Sequence, residues 1–343
     1  MPPPGPTGDD AGGDLTNDDV GPSPGGTMRR TITHRMLATT ATAALLAGGL
    51  LAGSTTSAVA APKSDKANGA SQCAGRSIPA SKISIQLFSY LGWQGQIGID
   101  GVLAELEEIG FKNVEPFGSP GGFGSYEDYT VAEFRDVLKS YGLKAPSSHG
   151  STTEATFDTT LEYAKDLGQK YVGSGGFAAP GIGGGYENVL ATADTMNRLG
   201  ERSVKNGTGK FFGHNHQSEF TTQYADPETG EMKSAWEILV ENTDPRYVTF
   251  ELDTFWAADA GVDVAALLEE HGDRVELLHI KDGDLNGDGR GIPGNVGDGD
   301  MEWGPILDAA QGKVKLYVLE RDGAPADKEF AEESFDFLTC YSF

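Results

Sequence analysis

Across 343 residues the chain carries 51 Asp and Glu against 26 Lys and Arg, a formal net charge of −25. That acidity excludes a nucleic-acid partner, because neutralising phosphates needs basic surface. The two cysteines, Cys73 and Cys340, have no CxxC spacing, which excludes a thiolate zinc site.

Residues 1–60 read as an N-terminal extension followed by a signal peptide. Met28-Arg29-Arg30 supplies the positive segment, Met36 to Leu51 is mostly apolar and small, and Ala58-Val59-Ala60 supplies the cleavage site. The expectation is a secreted or extracytoplasmic protein, exported by the Sec or Tat route. The apolar run is short for a span of about 20 residues, so no stable membrane insertion is expected after cleavage. Residues 61–80, polar and rich in Ser, Ala and Lys, read as a linker. In an oxidising compartment, Cys73 before the first strand and Cys340 in the last helix are expected to pair.

From residue 81 to 343 the chain alternates short β-type runs with helical ones. The predicted strands are KISIQLFSY from Lys82, NVEPFG from Asn113, KAPSSHG from Lys144, KYVGSGG from Lys170, KFFGHNH from Lys210, YVTFELD from Tyr247, VELLHIKD from Val275 and KLYVLE from Lys315. Between them apolar residues recur at helical spacing, as in Val102, Leu103, Leu106 and Ile109, with Gly110, Gly142, Gly168, Gly272 and Gly312 at the stops. Eight such strand-then-helix units predict an α/β fold, a single-domain (β/α)8 TIM barrel. A doubly wound sheet would want a glycine-rich turn after its first strand, and LGWQGQIG lacks GxGxxG.

Polar residues collect at the strand C-terminal ends, where a barrel builds its active site. They are Gln86, Glu115, His149, then His214, Asn215, His216 and Glu219, then Asp253, then His279, Lys281 and Asp282, then Glu320 and Arg321. Asp253, His279 and Glu320 stand on three successive strands among apolar neighbours, where an ionisable group must be paired or bound to a metal. Oxygen and imidazole donors suit Mn2+, Mg2+ or Co2+, with Zn2+ as a further candidate. Trp93, Phe117, Trp256 and Trp303 are candidate apolar walls for a sugar face, with Trp256 taken as substrate-binding. In the loop DGDLNGDGRGIPGN, Asp284, Asn286, Asp288 and Gly289 match the start of a calcium loop, but the last position is Asn295, leaving accessory Ca2+ against a plain polar insertion.

The segments FGHNHQSEF, FELDTFWAADAG, LLHIKD with NVGDGDMEW, and VLERD resemble the last four strand ends of the sugar phosphate isomerase/epimerase superfamily, the xylose-isomerase-like barrels. The HNHxxEF pattern resembles its branch of inosose dehydratases and secreted enzymes acting on keto sugars. The resemblance implies a metal held by Asp253, His279 and Glu320, with His216 as the fourth ligand and His214 or Glu219 as substitutes, since the family's strand-five Glu is replaced here. It implies proton transfer by Glu320 and His149, and an enediolate oxygen stabilised by Lys281, for which a salt bridge with Asp282 or Glu115 is the structural alternative. Glu115 and His214 are then substrate binders. The implied function is an exported metal-dependent sugar isomerase or epimerase on a non-phosphorylated, keto-type sugar. A lyase or dehydratase on the same site and a noncatalytic carbohydrate-binding barrel are the alternatives. The absence of a basic, glycine-rich anion site after strands seven or eight disfavours a phosphorylated sugar.

Overall fold

The computed structural model describes residues 76–118, 126, 129–286 and 290–343, all within one unit, Asn68–Phe343. The signal peptide and Cys73 lie outside the described residues. Cys340 is disulfide-bonded.

Six parallel strands form one curled sheet in the order Ile83–Ile85, Leu316–Leu319, Val275–Ile280, Val248–Asp253, Lys210–His214 and Tyr171–Ser174. First and last chain segments are therefore neighbours, with Ile83 opposite Tyr317. The second and third predicted strands are not continuous ladders. They close the ring through the isolated parallel bridges Gln86 to Glu115, Asn113 to Lys144, Phe117 to His149, and His149 to Gly173. The physical reason is Pro116 and Pro146, each of which withholds an N–H in the middle of its segment. Their carbonyls still accept, from His149 N at 2.9 Å and from Lys170 N at 2.7 Å.

Alternation along the strands sorts residues between two apolar regions. One face, with Ile83, Ile85, Phe211, Phe250, Leu252, Leu278, Ile280 and Leu319, packs under helices that include Tyr186–Asn206 and Glu329–Cys340. The other face fills the barrel interior, where Phe212, Leu277, Leu316 and Val318 form a separate cluster. Gly173 is required beside this plug, because a Cβ there would lie 2.3 Å from the Phe212 carbonyl oxygen and 2.6 Å from its ring.

Helix ends follow local chemistry. Thr130 with Glu133, and Ser234 with Glu237, form capping boxes that satisfy the first free amides of Val131–Ser140 and Ala235–Asn242. Gly168 stops Phe157–Leu167 in the left-handed conformation, φ 77°.

Residues 76–80 do not behave as a spacer. Ile78 is buried and its N–H donates to Leu338 O at 3.1 Å, while Arg76 pairs with Asp308. No described helix is long and apolar enough to cross a membrane.

Candidate active site at the barrel rim

The interior-facing positions above the apolar plug carry charge. Period-two alternation aims Glu251 and Asp253, His279 and Lys281, and Glu320 from three neighbouring strands at one axis, and all five are buried. They assemble into two groups that share His279.

The upper group is His214, Asp253, His279 and Glu320. His279 Nδ1 lies 2.9 Å from Glu320 Oε2, 3.1 Å from His214 Nε2 and 3.9 Å from Asp253 Oδ2; His214 Nε2 lies 3.6 Å from Asp253 Oδ2. These separations straddle the roughly 3.3 Å edge of a tetrahedron whose ligands sit about 2.0–2.1 Å from a central ion. Asp253 Oδ2 receives no hydrogen bond, while its Oδ1 accepts from Trp256 N at 3.0 Å. Oδ2 instead faces the Lys281 ammonium at 3.1 Å and the His214 and His279 nitrogens at 3.6 and 3.9 Å, and a buried set of two imidazoles and two carboxylates fits a divalent cation. Asn215 fixes this strand end, accepting from Asp253 N at 3.0 Å and donating to Asp253 O at 3.2 Å.

The lower group is Glu115, His149, Glu251 and His279. His149 Nε2 is 2.7 Å from Glu251 Oε2, and His279 Nε2 is 3.1 Å from Glu115 Oε1. The His149 and His279 rings are nearly parallel, 5.2 Å apart at 13°. Gln86 Nε2 donates to Glu115 Oε1 at 2.7 Å, and Ser147 Oγ donates to Glu115 Oε2. These short N–H···O separations are those of hydrogen bonds.

Lys281 is fully buried, with Nζ 3.1 Å from Asp253 Oδ2, 2.8 Å from Glu320 Oε2 and 3.0 Å from Asp322 Oδ2. The expected alternatives Asp282 and Glu115 are not its partners. Asp282 accepts instead from Gly297 N, Met301 N and Trp303 Nε1, tying down the following loop. Trp256 lies beneath the ammonium, 5.2 Å from its ring centre.

The charges balance one another. Burial opposes ionisation of Asp253, but Lys281 and then His214 outweigh it and hold the carboxyl at about 2. Glu320 is likewise opposed by burial and pulled well below the usual carboxylate range by Lys281 and His279. Burial works against a charged His279, yet Glu251 and Glu320 raise it well above the ordinary imidazole value. His214 goes the other way, to about 4, because burial and the neighbouring His279 both disfavour its charge. Burial and then Glu251 raise Glu115.

A pocket of about 270 Å3 opens over the upper group, walled by Phe88, Phe117 and Gly118 on one side and by His149, Gly175, His214, His216, Glu320 and Asp322 around it. Of the residues expected from sequence, His149, His214 and Glu320 line this pocket. His216 lies at its wall but outside the metal-holding group, whose fourth member is His214. Glu219 is turned back, accepting from His216 N at 2.8 Å and Ser218 Oγ at 3.1 Å. Glu115 sits a layer below the pocket with its carboxylate already bonded, which corrects its expected place as a substrate contact. Trp303 is committed to Asp282, and Trp93 packs on Tyr90 at 4.9 Å. Asp288 and Gly289 lie outside the described residues; Asn286 Nδ2 donates to Arg290 O at 2.7 Å, and Asn295 accepts from Arg321 through Oδ1 and donates to Glu333 through Nδ2.

Sequence reasoning missed Glu251, Asp322 and Phe88. Glu251 was legible in FELD, because once Asp253 faces inward the residue two before it must as well. Asp322 and Phe88 lie just past strand ends and carry no periodic signal.

The Xylose isomerase-like TIM barrel profile matches residues 103–339. Among solved structures, the chain is similar to a sugar phosphate isomerase/epimerase from Parabacteroides distasonis, at 24% identity over 79% of this chain and 98% of that one, TM-score 0.61. It is also similar to a probable 3-DHS dehydratase from Bacillus anthracis, at 13% identity over 75% and 98%, TM-score 0.58. A third similarity is to an IOLI protein with a zinc atom, at 16% identity over 74% and 94%, TM-score 0.55. No curated protein matches the sequence. With the profile spanning most of the chain and the ring of parallel strands in place, the protein belongs to the xylose isomerase-like TIM-barrel family.

Proposed function

We propose that this protein is an exported, divalent-metal-dependent sugar isomerase or epimerase acting on a non-phosphorylated, keto-type sugar through an enediolate. The observation that carries the reading is the four-donor group His214, Asp253, His279 and Glu320 directly beneath a pocket of about 270 Å3. An ion held there would supply Lewis acidity toward carbonyl and hydroxyl oxygens of the sugar. Phe88 and Phe117 offer one apolar face to the ring. His149 and Glu320 stand at the wall as groups able to move a proton, and the buried Lys281 keeps the carboxylates ionised around them. Among the described residues no lysine or arginine lines the pocket and Asp322 does, which favours a neutral substrate over a phosphorylated one.

Elimination is the second reading, favoured by one observation. His214 occupies the fourth donor position and Glu219 is turned away, so the pocket's carboxylates are Glu320 and Asp322, both paired with Lys281, and among the described residues none stands on the strand-five side to return the proton.

The test is incubation of the protein with Mn2+ and free or 3-keto sugars in D2O, followed by NMR and mass spectrometry. Deuterium in recovered or isomerised sugar supports proton abstraction with return; loss of water from the sugar identifies elimination. A protein that binds Mn2+ or sugar but yields neither product is a noncatalytic binder, and one that binds neither overturns the proposal. Export is checked by the mature N-terminus of the secreted protein, expected after Ala60.

A further inference from the structure

We infer that Glu251 is the positioning residue of His149: its carboxylate holds the Nε2 proton of that imidazole, so that Nδ1 is the nitrogen which exchanges a proton with substrate. This deepens the proposed reaction and rests on it for the identity of the proton acceptor. The geometry behind it is separate.

Glu251 is fully buried on the Val248–Asp253 strand. Its Oε2 makes the shortest imidazole–carboxylate contact of the lower layer, 2.7 Å to His149 Nε2, and its Oε1 has no hydrogen-bond partner. His279 bonds through its own Nε2 to a different carboxylate, Glu115, at 3.1 Å. Glu115 is in turn fixed by Gln86 and Ser147. Glu115 also lies 3.2 Å from His149 Nε2, and Glu251 lies 3.2 Å from His279 Nε2, so both carboxylates face both imidazoles, and the 2.7 Å contact marks Glu251 as the principal acceptor for His149.

The opposite edge of the His149 ring points to the pocket. A Cβ built on Gly175 would come within 2.8 Å of His149 Nδ1, and both residues line the cavity. The absence of a side chain at position 175 keeps that nitrogen reachable. The backbone around His149 is held on both sides, with His149 N donating to Pro116 O at 2.9 Å and Gly118 N donating to His149 O at 2.9 Å. When an acceptor fixes the proton on one imidazole nitrogen, the other nitrogen is left for chemistry. A buried carboxylate oriented on the far side of a histidine base does this in hydrolytic triads.

The experiment uses the full chain and the variants Glu251→Gln, which keeps an acceptor oxygen, and Glu251→Met, which removes it. Long-range 1H–15N spectra of ring-labelled, Zn2+-loaded protein read the tautomer of His149 without substrate. Wild type and Glu251→Gln are expected to show a protonated Nε2, and Glu251→Met to lose that preference. With Mn2+, the deuterium-exchange kcat of Glu251→Met should fall about a hundredfold, with KM and Mn2+ affinity within about twofold of wild type. A protonated Nδ1 paired with a bare Nε2 at wild-type His149 would overturn the inference. So would a Glu251→Met variant with unchanged tautomer, or one that loses Mn2+ binding instead, since Glu251 would then serve the metal group. Should Glu251→Met fail to fold, the wild-type and Glu251→Gln spectra still decide. Should no sugar react, the proposed reaction fails while the tautomer spectra stand on their own.

Discussion

The two ends of the barrel interior solve the same packing problem in opposite ways. At the lower end Phe212, Leu277, Leu316 and Val318 interlock, and the charge placed there is Glu276, paired with Lys210 at 2.6 Å and accepting from Tyr171 at 2.7 Å. At the upper end, His279 and Glu320 follow Leu277 and Val318 by two residues on the same strands, and with Glu251, Asp253 and Lys281 they form a buried charged layer. Opposed charges compensate one another there only as a complete set, because each member leaves an uncompensated charge if removed. The lower end therefore carries stability, and the upper end trades it for a cluster of donors able to hold a cation.

Breaking the two ends separately should separate those properties. Asp253→Ala removes one carboxylate of the four-donor group and is expected to lower activity by roughly a thousandfold or more, corresponding to several kcal/mol of transition-state stabilisation, with Mn2+ affinity by calorimetry falling in parallel. Phe212→Ala should instead cost about 3–5 kcal/mol of stability by cavity formation, seen in denaturant unfolding, while Mn2+ affinity stays close to wild type. Equal loss of metal affinity in the Phe212 variant would mean that the ends are not independent. Lys281→Met lies between these, with about 3 kcal/mol lost in the metal-free protein because Asp253, Glu320 and Asp322 are left facing one another. Added Mn2+ should recover more of the melting temperature in this variant than in wild type, since the ion replaces the missing positive charge.

The contrast was only half legible in the sequence. Strand-helix alternation gave eight units, and the polar residues after each run marked the rim, because strand ends are where apolar patterning stops. The lower plug was hidden within runs such as VELLHI and KLYVLE, where consecutive apolar residues such as Leu277-Leu278 and Leu316 to Leu319 mask period two. Glu251 could have been read from the inward phase of Asp253, two residues on, but belongs to no motif of its own. The fourth donor was expected at His216, with His214 or Glu219 as substitutes; the four-donor group takes His214, because the strand ends there and His216 lies beyond it at the pocket wall. Pro116 and Pro146 were visible, but their effect of reducing two strands to single bridges depends on which edge of each segment faces a neighbour.

Proton competition gives the gentler comparison. In the metal-free protein His279 is held charged by Glu251 and Glu320 against the opposition of burial. Its folded value is raised, so its contribution to stability is complete below about pH 6.5, the unfolded value, and is lost as pH rises through the folded value. Metal binding at Nδ1 must displace that proton, and calorimetry in buffers of different ionisation enthalpy should show Mn2+ affinity rising with pH and protons released. At the lower end, burial raises Glu276, but Lys210 and Tyr171 outweigh it and depress the carboxyl. Its contribution is present above about pH 4.3, the unfolded value, and is lost as pH falls through the depressed folded value. Partial solvent screening holds that contribution to about 1 kcal/mol or less. Glu276→Gln should flatten the acid limb of the stability profile while leaving the pH dependence of Mn2+ binding unchanged; a shift in the latter would show that charge at one end of the barrel is felt at the other.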